Sequence, residues 1–104
     1  MVRENIVILV LTSGEHVIAE KMEVKDDGTV VVDRPVSIMP DPNPANQGRL
    51  LFIPYLQFTE LFSCEFPEHS IRHCLGDVKE DLRNSYAKQF GDGLDIPSQQ
   101  ILLS

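Results

Sequence analysis

Residues 6–39, IVILVLTSGEHVIAEKMEVKDDGTVVVDRPVSIM, decide the fold. Residues 6–11 are continuously apolar, which suits a strand covered on both faces. Residues 12–15 (TSGE) are a tight turn in which Gly14 supplies a positive φ. From His16 to Val24 the apolar positions change parity midway. Val17 and Ala19 share one face, whereas Ile18, Met22 and Val24 share the other. Such a change predicts a bend or bulge around residues 19–22. Residues 25–28 (KDDG) form a hairpin turn of the Asp-Gly kind. Residues 29–33 return as a strand, and Pro35, lacking an N–H, interrupts the ladder. The stretch is the core of a small, strongly curved antiparallel sheet.

Outward from this core, residues 39–49 (MPDPNPANQGR) carry three prolines and form an irregular exposed loop. Residues 49–60 (RLLFIPYLQFTE) are a second apolar block. Leu51, Ile53, Tyr55 and Gln57 alternate with Leu50, Phe52, Pro54, Leu56 and Phe58, and Pro54 argues for an edge or a kink. Residues 61–66 and 69–75 are short strand candidates. Their closeness predicts either a hairpin at 57–60 or one strand with a break. After Gly76 the period changes. Val78, Leu82, Tyr86 and Phe90 recur every four residues, the spacing of one helical face. Asp77 with Glu80 reads as a capping box, and Gly91 as the residue that ends the helix. Residues 92–104 are loose until Ile101, Leu102 and Leu103, which could dock as a short strand or fray.

The 104 residues fit one domain: a β unit at 6–75, a helix at 77–90 and a tail at 92–104. The formal net charge is −7 and the pI about 4.7. That balance excludes a bulk electrostatic nucleic-acid binder, though not a local basic rim. Two cysteines are too few for a disulfide scaffold. No apolar stretch approaches a membrane span and nothing resembles a secretory signal, so the expected setting is the cytoplasm.

No combination of residues spells out a catalytic centre. Cys64, His69, His73 and Cys74 have metal-ligand chemistry and lie within eleven residues. The adjacent His73 and Cys74 would point to opposite faces of a strand, however, and no metal is expected. Asp26, Asp27 and Asp41 sit where turns favour aspartate. The phosphate-cradling and nucleophile-elbow motifs are missing, so neither cofactor nor enzymatic activity is expected. Cations and stacking rings are the remaining signal. Arg72 with His69 and His73 is the one basic cluster. Arg49, Phe52 and Tyr55 mark the second apolar block, and Lys25 and Arg34 flank the central hairpin. The plain alternative places Phe52 and Phe58 in the core and the cations on a solvated rim.

Together these features resemble the Sm-like (LSm) family. The run of Leu11, Gly14, a bent strand from His16, Asp27 and the strand at 30–32 is similar to the first Sm motif. Ala19 stands where that motif has its second glycine. Gly28–Val30 replace the asparagine that follows its aspartate. Residues 70–73 (SIRH) resemble the second motif, with His73 in place of glycine. Residues 68–71 (EHSI) resemble the Lys-His-Ala-Ile segment of bacterial members, with Glu68 in place of lysine. The C-terminal helix departs from the family's N-terminal one, as in a divergent branch of the kind encoded in phage or marine metagenomic genomes. The resemblance implies a mainly β fold, a strongly bent five-stranded antiparallel Sm-like (SH3-like) barrel followed by an α-helix. It also implies a homo-oligomeric ring of about five to seven subunits. Such a ring would bind single-stranded RNA or DNA in processing or regulation through His69, Arg72, His73, Asp27, Arg49 and Tyr55. The alternative from another class is a structural or adaptor β-barrel with no nucleic-acid role.

Overall fold

Both glycine turns form where the sequence places them. The computed structural model describes residues 5–90 and 101–103, with side chains for 5–89. Gly14 has φ 92° and Gly28 has φ 88°. Their amides donate to Leu11 O at 2.8 Å and Lys25 O at 2.9 Å. The Asp27 carboxylate accepts from the Thr29 amide at 2.9 Å, closing the second turn. These turns join β1 (Ile6–Leu11), β2 (His16–Val24) and β3 (Val30–Pro40).

β1 and β2 pair without a slip, from Ile6 opposite Glu20 to Val10 opposite His16. β2 and β3 slip twice, between Ile18 and Glu20 and between Lys21 and Glu23. These are the irregularities expected near residues 19–22. At the first, Arg34 and Pro35 stand opposite Ala19 alone, a one-residue bulge in β3. Arg34 takes φ 50°, uncommon for a residue with a side chain. The extra residue re-aims everything beyond it. Val30 and Val32 pack into one apolar cluster with Val7, Leu9, Leu11, Val17, Ala19 and Phe66. Val36 packs into the other, with Ile6, Ile18, Phe52, Val78 and Tyr86. Alternate residues of β1 thus enter different clusters, which explains its continuous apolar run.

The remaining strands are β4 (Leu50–Pro54), β5 (Ser63–Phe66), β6 (Ile71–Leu75) and β7 (Ile101–Leu103). The strand path runs β6-β1-β2-β3-β4-β7, and β5 pairs β3 beside it. The path does not return on itself: β6 and β7 are its two ends. One 3-10 turn, Glu68–Ser70, joins β5 to β6, but no ladder links the two. The strongly bent, closed five-stranded Sm-like barrel expected from the sequence is therefore incorrect, and a ring of such barrels loses its building block. The parity change that suggested curling marks no change of buried face, since Met22 and Val24 are exposed. The change of cluster along β3 comes from the Arg34–Pro35 bulge. The bulge redirects side chains without bringing the edge strands together.

A helix covers the sheet face that carries Ile6, Ile18, Val36 and Phe52. α1 spans Glu80–Phe90, starting later than the pattern at 77 implies. Asp77 adopts φ 50° outside the helix. The stripe itself is as expected: Val78 and Tyr86 are buried and Leu82 packs against them. The side chain of Phe90 and the expected stop at Gly91 lie outside the described residues. Ile101–Leu103 docks as a strand, with Leu50 opposite Leu103.

Candidate interaction site

β4 and β5 do not form a hairpin with each other. Both run antiparallel to β3, one after the other: Val36 faces Pro54, and Asp33 faces Ser63. They are one strand with a break, the second of the two readings the sequence allowed. The register differs by six residues across the break. Tyr55 N donates to Pro35 O at 2.9 Å, and Arg34 N donates to Phe62 O. The loop between Tyr55 and Phe62 thus leaves and re-enters the sheet opposite two adjacent residues. Residues 56–61, LQFTEL, are the excursion.

The loop has an ordered interior. The Thr59 amide donates to Leu56 O at 3.1 Å, and the Leu61 amide donates to Thr59 Oγ1 at 3.1 Å. Its ends are anchored too. The Arg34 guanidinium carbon lies 5.5 Å from the Phe62 ring centroid. Its Nη1 is 3.8 Å from Glu20 Oε1 and 4.0 Å from Asp33 Oδ2. Ser63 Oγ donates to Asp33 Oδ1. Beneath them, Tyr86 OH donates to Arg34 O at 2.7 Å, tying helix, bulge and loop together. Burial, then the nearby Glu20 carboxylate, pushes the Tyr86 hydroxyl well above its usual pKa. The Tyr55 ring packs 5.5 Å from that of Phe66. Burial first, then Glu15 and Cys64, push its hydroxyl up as well.

A fixed frame therefore presents an apolar tip. Phe58 is 90 % exposed, Leu61 67 % and Phe62 61 %. Sequence reasoning missed this. It extended the period-2 alternation through Phe58 and placed that ring in the core with Phe52. Phe52 is buried. Phe58 is not, because strand pairing stops at Pro54. The available signal was Pro35 and Pro54 together, two residues without amides that fall near one break in the ladder.

The residues expected to bind nucleic acid fall in three places. His69, in the 3-10 turn, and Arg72 and His73, on β6, are exposed. Arg72 is the extra residue of a bulge against β1. Asp27 is in the turn beside this group. The Glu68 carboxylate lies directly against Gly28, where a β-carbon would collide with it, so the two turns touch through a carboxylate. Arg49 lies at the far end of β3 and β4, where its carbonyl accepts from the Asp41 amide. Tyr55 is at the bulge. Lys25 pairs with Glu65 at 2.9 Å, and Arg34 is engaged as described. The six residues do not line one surface.

Among the described residues no three His, Cys, Asp or Glu side chains are placed to hold a metal. Cys64 faces Val32 on β5 while Cys74 faces Leu9 on β6, so the Cys/His set is spread over separate strands. Burial raises the pKa of the Cys64 thiol, away from the thiolate a nucleophile needs. No described helix is long and apolar enough to cross a membrane. No protein-family model, curated protein or solved structure matches the chain.

Proposed function

We propose that the chain is a non-catalytic interaction module, an adaptor that docks another protein through the 55–62 loop. The observation that carries this reading is the exposure of Phe58, Leu61 and Phe62 on a loop anchored at both ends. Compact loops with adjacent ends are frequent sites of function. Fully removing one large apolar side chain from water contributes roughly 1.5–3 kcal/mol, so three at one tip can anchor a partner. Order before binding lowers the entropic cost of association. Within the same proposal the protein works in the cytoplasm, where its two free thiols stay reduced.

Single-stranded nucleic acid is the competing partner. It would rest on the exposed His69, Arg72 and His73, and would have to approach a chain of net charge −7. A photo-crosslinking residue at position 61, with a control at the exposed Lys88, separates the two in cells of the native host. Protein adducts from position 61 and not from 88 are the expected result. Equal yields from both positions would remove the reading. RNA or DNA adducts would transfer it to the 69–73 group.

A further inference from the structure

The charge around the loop identifies the kind of partner. Glu60 is exposed within the loop itself. Glu15, whose Oε2 accepts from Ser37 Oγ at 2.9 Å, is near the Tyr55 hydroxyl at the loop's first stem. Asp33 stands at the second stem, bonded to Ser63. The cation tied to the loop is Arg34, and Glu20 and Asp33 already meet its charge. Among the described residues at the loop and its stems, the carboxylates Glu15, Glu20, Asp33 and Glu60 thus outnumber the Arg34 cation. We infer that the loop receives a cationic, apolar segment of another protein. Leu- or Phe-type side chains of that segment would cover Phe58 and Leu61, and its Lys or Arg side chains would meet Glu15 and Glu60. A second copy of this chain fits poorly. It would bring the same carboxylates to the same loop and a net −7 against a net −7.

This inference rests on the interaction-module reading, and its test can fail separately. The probe is a fluorescent peptide in which Leu, Lys and Ser repeat in turn, matched by one of Leu, Glu and Ser. Anisotropy is read at low salt and at about half-molar salt. The Lys peptide should bind about tenfold or more tightly than the Glu peptide, and salt should narrow the gap. The double substitution Phe58→Ser, Leu61→Ser should weaken it about tenfold, with the far-UV spectrum unchanged. Equal affinity for the two peptides, or binding of neither, overturns the cationic partner and leaves the crosslinking result to judge the module. Lys-peptide binding indifferent to the double substitution overturns it as well, because the acidic surface would then be acting without the loop. Two further results would also overturn it. One is a wild-type dimer in sedimentation that the double substitution abolishes, making a second copy the occupant. The other is loop-dependent binding to phosphatidylcholine–phosphatidylglycerol vesicles, making a membrane the occupant.

Discussion

At the scale of single residues, Tyr86 joins the helix to the sheet. Its ring is buried among Ile6, Ile18, Val36 and Phe52, and its hydroxyl donates to Arg34 O. Tyr86→Phe keeps the ring and removes that donor, so it should cost about 1 kcal/mol, read from the urea midpoint at pH 7. The pH dependence is more specific. Burial raises the folded pKa above the ordinary value of 10.0, because the phenolate is disfavoured there. Below pH 10 both states are protonated and the contribution is whole. Above it the unfolded chain ionises first, so stability is progressively lost as pH rises. The wild-type midpoint should fall steeply above pH 10, and that of Tyr86→Phe should fall less. Tyr55, raised too, leaves a residual slope. A phenylalanine variant with the wild-type alkaline slope would contradict the assignment. Tyr86 was legible in sequence as one position of a helical stripe. Its hydroxyl contact was not, since it depends on Arg34, and arginine gives no sequence sign of a left-handed backbone, unlike Gly14 and Gly28.

At the scale of elements, the 56–61 excursion makes a sharp claim. Tyr55 and Phe62 already bond to adjacent residues of β3, and the register on the two sides differs by the length of the excursion. Deleting residues 56–61 should therefore fuse β4 and β5 into one continuous strand. The shortened chain should keep its far-UV spectrum and cooperative unfolding, with a midpoint within about 1 kcal/mol of wild type, because closing so short a loop changes little. It should also lose the position-61 surface and with it the capture of the Lys peptide. Unfolding of the deletion variant would show that the loop supports the sheet, contrary to the register argument. The elements themselves were largely readable: the first three strands, both turns and the helical stripe follow from period and glycine. The partnership of β4 and β5 with one strand was not, because a break in pairing leaves the alternation of Leu51, Ile53 and Tyr55 intact.

At the scale of the whole molecule, two apolar clusters lie on opposite faces of an open sheet. The sequence suggested that residues 6–75 are complete as a barrel and that the helix is an addition. A closed barrel shelters one interior, whereas this sheet has a second apolar face. Ile6, Ile18, Val36 and Phe52 on that face are covered by Val78, Tyr86 and Ala87, with Leu82 packed beside them. Burial of two large side chains and two smaller or partial ones contributes on the order of 5 kcal/mol, a large part of what a domain of this size has in hand. A chain ended after Leu75 should accordingly lack a cooperative unfolding transition and should bind a hydrophobic dye. A full-length Tyr86→Asp variant, which keeps β7 but leaves a carboxylate against the same apolar face, should be destabilised by several kcal/mol. Cooperative folding of the chain ended after Leu75 would mean that residues 6–75 enclose their own core, and would reverse the assignment of α1 as half of it.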